Sequence, residues 1–188
     1  MNIGLLNSQD DPLEVVDYDP QWPVQFAAEQ ERIQQALGKY ALGVEHVGST
    51  SIPGLAAKPI VDIQIVVSSF QHLAQCIQEM QAIGYTYLGQ NGVEGREYFA
   101  RPRFHCHMVE LDNDEYTRKR LFLGYLRDHP HAREEYAELK RRLARKWANR
   151  PNGRHSYNAD KTPFIMDILA KAGWNPEREP ALIQNNVN

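Results

Sequence analysis

Apolar positions along the chain follow two rhythms. After Asp19-Pro20, Phe26, Ile33, Leu37 and Tyr40 recur at near-helical spacing as far as Gly43, which predicts an amphipathic helix. Val44 to Val47 then reads as a short strand. Ile60 to Val67 alternates, with Val61, Ile63, Ile65 and Val67 on one face and Asp62 and Gln64 on the other, the pattern of a strand with one packed face. Ser68 and Gln71 have capping-box spacing ahead of Leu73, Ile77 and Met80, a helix that can stop at Gly84. Tyr85 to Leu88, Arg96 to Arg101 and Phe104 to Leu111 are separated by a glycine-rich loop and by Pro102-Arg103, and they predict an antiparallel meander.

The second half of the sequence is helical. Asp112 and Glu115 again have capping-box spacing and open a helix carrying Tyr116, Leu121, Phe122, Tyr125 and Leu126, which should stop near His129-Pro130. Tyr136, Leu139, Leu143 and Trp147 stripe the next helix, and Lys140, Arg141, Arg142, Arg145 and Lys146 fill the rest of its circumference. Beyond a loop from Asn149 to Gly153, Thr162-Pro163 reads as an N-cap and first-turn proline for a last helix through Ile165, Ile168, Leu169 and Ala172. Strands embedded between helices give an α+β or mixed α/β domain, a mixed sheet flanked by helices with a C-terminal helical cap. The expected boundaries are a flexible acidic segment over 1–14, one domain over 15–174 and a tail over 175–188.

Composition narrows the class. The 188 residues are 42% hydrophobic and 24% charged, ordinary values that exclude collagen, a charged disordered chain and a disulfide scaffold. No apolar run approaches the roughly 20 residues of a membrane span, so no membrane partner is expected. Asp10, Asp11, Glu14, Asp17 and Asp19 stand near the start with no Lys or Arg among the first twenty residues, the reverse of a signal peptide. With two lone cysteines, Cys76 and Cys106, this points to the cytoplasm. Charge is uneven: from Arg118 to Arg154, 12 Lys and Arg face 4 Asp and Glu, a local +8, while the remainder, 9 against 20, carries −11. Such a run is either a solvated helix face or a surface for an anionic ligand. In the second case Lys140 to Lys146 should face a cleft floored by the Asp62 strand.

The richest stretch for chemistry is His46-Val47-Gly48-Ser49-Thr50-Ser51-Ile52-Pro53-Gly54, followed by Lys58 and the Asp62 strand. A strand ending in Gly-Ser, with Thr50 and Ser51 supplying hydroxyls and free N–H groups, makes an anion nest, and Lys58 adds a mobile charge. The alternative is a tight turn with capping hydroxyls. His105 and His107 share a strand face, the spacing of two imidazoles on one ion, or of histidines that orient Asp62 or a substrate. Arg96, Lys140 and Lys161 are candidate phosphate contacts, and Tyr157 can stack on or donate to a base or ribose. Each also has a plain structural reading as a surface ion pair or a core tyrosine. No Walker loop, dinucleotide fingerprint, zinc-finger spacing or nucleophile elbow is present.

Tyr18-Asp19-Pro20-Gln21-Trp22-Pro23, the run from His46 to Ile63, Gly95-Arg96 with Tyr98-Phe99, His105-Cys106-His107, and Tyr157 with Lys161 together resemble the GrpB family within the polymerase-beta-like nucleotidyltransferase superfamily. The resemblance runs over roughly residues 15 to 172. It implies a nucleotidyltransferase fold, with Gly48-Ser49 holding nucleotide phosphates and Asp62 a divalent cation, Mg²⁺; the spacing of His105 and His107 separately allows a mixed site with Asp62 and His46 for Mn²⁺ or Zn²⁺. Active members of the superfamily carry a second acid two residues after the first, and here that position is Gln64. An amide can ligate Mg²⁺, but two cations about 3.5–4 Å apart ask for more anionic charge. Glu110 is the nearest candidate for a compensating acid, or else a strand-end surface residue. The expected catalytic set is Asp62, Glu110 and His107. The expected partner is a nucleotide or other phosphorylated small molecule, with transfer of a nucleotidyl group. The rivals are a catalytically degenerate module that binds a nucleotide, coenzyme or protein, and RNA binding by the basic helix.

Overall fold

The computed structural model of the chain describes residues 13–175. The expectations for most of the acidic start and the tail lie outside the described residues. At the centre stands a five-stranded sheet made of β1 (Gly43–Val47), β2 (Val61–Val67), β3 (Thr86–Tyr87), β4 (Arg96–Arg101) and β5 (Phe104–Glu110). Its order is β1-β2-β5-β4-β3, with β2 and β5 parallel and the other neighbours antiparallel. The parallel pair needs a long crossover. The chain makes it through α2 (Leu73–Ala82) and the β3-β4 hairpin, so the meander is present with a shortened first strand.

Alternation sorts the two faces. Val44, Ile63, Ile65, Phe99, Cys106 and Met108 join Trp22, Ile33 and Leu37 of α1 (Gln21–Leu37) and Met80 of α2 in one core. The other face is covered by α3 (Asp114–Asp128), α4 (Pro130–Trp147) and α5 (Gly153–Lys171), whose Leu123, Leu126, Tyr136 and Ile168 pack on Val47, Ile52 and Leu55. A further contact joins Val66, Val109 and Tyr116. β2 is therefore packed on both faces beyond Asp62, where one packed face was expected, because the helical cap closes over Gln64 and Val66.

Three local expectations shift. Ser69 rather than Ser68 accepts from Gln71 N, opening a 3-10 turn ahead of α2, and Asn113 rather than Asp112 accepts from Glu115 N. α5 starts at Gly153, not at Thr162. Thr162 Oγ1 donates to Asn158 O at 3.2 Å, and Pro163 sits inside the helix. The lost N–H of that proline is offset by burial of Tyr157, Ile168 and Leu169 on either side of it.

A charged knot ties the first core together. Glu29, 2% exposed, accepts from Arg32 at 2.8 Å, from the Tyr85 hydroxyl at 2.8 Å and from Arg101. Removing one member of such a buried set strands the others, which costs about 3–5 kcal/mol. Glu29→Ala should therefore lower stability by that amount in denaturant titration, whereas a loss under about 1 kcal/mol would show the set to be dispensable.

Candidate functional site

β1 delivers the chain to Gly48, whose φ of +71° turns it into the 3-10 turn Ser49–Ser51. Only glycine adopts that conformation without strain. Glycine is needed here for a second reason, because a Cβ at this position would lie 2.5 Å from Asp62 Oδ2 and 2.9 Å from Asp62 Cβ. The turn and the first acid of β2 are thus pressed together. The turn is closed by Ser51 Oγ donating to Gly48 O at 2.8 Å and by a bond between Thr50 Oγ1 and His46 Nε2 at 3.0 Å. His46 lies on the opposite sheet face and stacks on Phe26, and burial, outweighing the pull of Asp62, lowers it to about 4.

Asp62, His105 and His107 share the face under the helical cap, as β2 and β5 run parallel with Asp62 beside His105 and Gln64 beside His107. His107 Nε2 is 3.2 Å from Asp62 Oδ1, and His105 Nδ1 is 3.9 Å from the same oxygen. Tyr98 of β4 holds both imidazoles, with ring centroids 5.5 and 5.3 Å away. Burial would raise the Asp62 carboxyl, but the hydrogen bond from His107 and the charges of His107, His105 and Lys58 hold it well below the usual range. Burial and Lys119 outweigh Asp62 at His107 and lower it to about 4, so His107 is neutral at pH 7.

Above this face lies a cleft of about 270 Å³, bounded by the Gly48-Ser49 turn, Asp62, His105 and His107 below and by α3 to α5 above. Four lysines line it, Lys58, Lys119, Lys140 and Lys161, and among the described lining residues Asp62 is the only carboxylate. Lys140 is buried, donates to Ala56 O and lies 4.6 Å from the Tyr136 ring centroid. Lys161 stands 4.3 Å from the Tyr157 ring centroid, and burial together with Lys58 and Arg154 outweighs Asp62 to lower it to about 7. Burial raises the Tyr136 hydroxyl far above its ordinary value, although a hydrogen bond with Ser49 pulls the other way.

The cleft therefore gathers Gly48, Ser49, Thr50, Lys58, Asp62, His105, His107, Lys140, Tyr157 and Lys161 from the sequence expectation. Four expectations are corrected. Glu110 is on the Cys106 face of β5, opposite Asp62, and its Oε1 accepts from Phe70 N at 2.8 Å, so it caps the approach to α2 and supplies no third acid. Gln64 is fully buried outside the cleft lining, with Nε2 donating to His107 O at 2.8 Å and Oε1 accepting from Lys119 Nζ at 3.1 Å, so both ends of its amide are engaged. Arg96 lies behind His107 rather than in the cleft, and holds the 89–95 loop through Gln90 O and Asn91 O, both at 3.0 Å. Of the five basic residues from Lys140 to Lys146 on α4, only Lys140 reaches the cleft; Arg141 pairs with Asp17, Lys146 with Asp160, and Arg142 and Arg145 are exposed. Ser51 serves the turn, where it also accepts from Arg127 at 3.1 Å.

Lys119 and its partner Glu115, 2.8 Å apart, were not singled out as site residues. The available signal was their i,i+4 spacing on a predicted helix, here hidden because Glu115 was read as a cap and Lys119 as one charge among many. As for a divalent cation, the donor chemistry does not fit a two-metal centre. One carboxylate already accepts from His107, the position of the second acid holds an amide bonded to a lysine, and four lysines line the space. Among the described residues no group of three or more His, Cys, Asp or Glu is arranged to hold a metal. Nor is any described helix long and apolar enough to cross a membrane.

Comparison with known proteins now adds to this geometry. The chain is 40% identical over 174 residues to UPF0157 protein YqkA of Bacillus subtilis, an alignment that takes in 90% of this chain and 50% of that one. The chain thus spans half the length of this relative. The crystal structure of conserved protein GrpB from Enterococcus faecalis matches with a TM-score of 0.77 at 36% identity, over 85% of this chain and 96% of that one. The structure of a GLD-2/RNP-8 complex matches with a TM-score of 0.53 at 13% identity, over 92% of this chain and 70% of that one. The likeness at that identity is one of fold. The GrpB family model, described as GrpB protein, matches residues 12–171, and with these relatives it places the chain in the GrpB family.

Proposed function

We propose that the cleft binds the phosphates of a small molecule, a nucleotide or a phosphate-bearing coenzyme, and that this nucleotidyltransferase fold holds its ligand instead of running two-metal transfer. The observation that carries the reading is the basic lining of the cleft, four lysines against one carboxylate, with Lys161 charged below about pH 7 and the Lys140 amine lowered well below its ordinary value by burial. A cavity lined by more cationic than anionic groups over low-dielectric walls attracts anions. Phe122, Tyr136 and Tyr157 supply apolar surface on which a base or other flat group can rest. Nucleotidyl transfer with a single Mg²⁺ between Asp62 and the ligand's phosphates is the second reading, favoured by the place of Asp62 beside the Gly-Ser turn.

A thermal-shift panel of ATP, UTP, coenzyme A and pyrophosphate, each with and without Mg²⁺, tests the proposal. A ligand at 100 times its Kd stabilises by about 2.7 kcal/mol, or roughly 5–10 °C for a chain of this size. Silence across the panel sinks the reading.

Lys161 adds a pH signature. Its amine ionises near 7 in the free protein, so it is protonated below that value and neutral above it. Affinity for a phosphate probe should fall as pH rises through 7, and Lys161→Met should remove the inflection. Stability of the free protein carries the opposite sign. Between about pH 7 and the ordinary lysine value of 10.5 the unfolded chain holds a proton that folded Lys161 has lost, so this group's contribution rises with pH. A phosphate affinity that is flat from pH 6 to about 8.5 would remove Lys161 from the site.

A further inference from the structure

The position that carries a second acid in the resemblance is occupied here by Gln64, and the group facing it is Lys119. Gln64 is fully buried, and its amide is fixed at both ends, by His107 O and by Lys119 Nζ. Lys119 Nζ is also 2.8 Å from Glu115 Oε1, one turn earlier on α3. Glu115 is itself buried and stands 3.8 Å from Arg96 Nη1. Burial would raise the Glu115 carboxyl, but Lys119, His107 and Arg96 outweigh it and hold it at about 2, so the partner of Lys119 stays ionised and, with Asp62, opposes the lowering of the Lys119 amine by burial. An ammonium has three N–H donors. Two of them serve Glu115 and Gln64, and Lys119 lines the cleft, where a third is left for a ligand oxygen.

We infer that Lys119 is a built-in cation of the cleft, supplying to bound phosphate the positive charge otherwise supplied by a divalent ion, so that phosphate binding is independent of metal. The inference rests on the phosphate-binding reading. The amide at 64 is the part that makes it work. A carboxylate there would sit with Glu115 on either side of the ammonium and cancel its charge toward the ligand. A neutral amide orients the same ammonium by a hydrogen bond and leaves the charge of the cleft positive. The same arrangement opposes a metal, because an ion approaching Asp62 meets Lys58, Lys119 and Lys161 across the cleft. Gln64 and Lys119 form one device, a fixed cation in place of a recruited one.

Isothermal titration of the full chain with ATP and with inorganic tripolyphosphate, in EDTA and then with excess Mg²⁺, tests it. Binding in EDTA that Mg²⁺ does not tighten is the expected result. Lys119→Met should weaken binding in EDTA by about tenfold or more, the cost of one charged hydrogen bond. Gln64→Glu, of the same length, should also weaken it in EDTA by setting a carboxylate against Lys119 Nζ, at the cost of the bond that the amide donates to His107 O. Binding by the wild-type chain that appears only with Mg²⁺ overturns this inference and leaves the phosphate reading standing. No binding of either probe under any condition overturns both. Unchanged affinity in folded Lys119→Met overturns the role of Lys119. Should that variant not fold, the Mg²⁺ dependence of the wild-type chain decides alone.

Discussion

Asp62→Asn is expected to destabilise the free protein and at the same time to tighten its hold on ATP in EDTA, two effects of opposite sign from one lost charge. The carboxylate accepts from His107 at 3.2 Å and is the only anion among the described residues lining the cleft. Loss of a hydrogen bond to a charged group costs about 2 kcal/mol, and the Lys58 and Lys161 charges lose their counter-ion as well. Toward an anionic ligand the same carboxylate is repulsive. At an effective dielectric near 20 and a separation of about 6 Å, a pair of unit charges is worth about 3 kcal/mol, so even after screening its removal should tighten binding by about tenfold.

The measurement belongs below pH 7, because Asp62 helps to hold the proton on Lys161 and its loss lowers that amine further. The stability difference has its own pH dependence. The folded carboxyl is depressed below its ordinary 3.8, so its contribution is fully present above that value and is lost as pH falls through the folded one. Wild type and variant should therefore converge in strong acid. If instead ATP binding needs Mg²⁺ and Asp62→Asn abolishes it while the fold is intact, a metal held by Asp62 becomes the better account and the lysine-based reading fails.

Gly48→Ala should be strongly destabilising. Two costs add. The residue holds φ at +71°, where a side chain is strained by about 1–2 kcal/mol. Its Cβ would also fall 2.5 Å from Asp62 Oδ2, and the atoms behind that oxygen, Asp62 Cβ and Cγ at 2.9 and 3.0 Å, belong to a strand that is hydrogen-bonded on both sides. The oxygen cannot swing away without breaking its pairing with His107. A total near 3–4 kcal/mol follows, with loss of phosphate binding in whatever fraction still folds.

Gly54→Ala is the internal control. Its φ is +80°, but nothing lies within 4 Å of the added Cβ, so it should show the backbone strain alone. Denaturant titration of the two variants separates strain from collision. Equal losses would mean that the approach of Asp62 to the turn is not tight in solution.

Much of the fold was legible because periodicity reports local burial. The alternation in Ile60 to Val67 marked β2, and the same two-residue period placed His105 with His107 on one face. Applied one step further it also separates Glu110 from them, since an odd number of residues along a strand changes face. The helix rhythm on α4 marked Tyr136 and Leu143 as buried, but it assigned Lys140 to the polar side. The side chain instead runs beneath segment 52–57 and donates to Ala56 O, a partner 84 positions away.

By itself, then, the sequence determined the order of elements, the membership of the family, the Gly-Ser turn and the face that carries Asp62. These depend on spacing within one element or on a run of adjacent residues, and such spacing survives in a linear string. The charge balance of the cleft was decided only by the tertiary structure. Gln64 meets Lys119 across 55 positions, and Lys58 and Lys161 come together across more than a hundred. The sheet order sets β5 beside β2, and the helical cap then closes over both. Coulomb energy depends on distance in space and on the water excluded between charges, and neither is written in the order of residues.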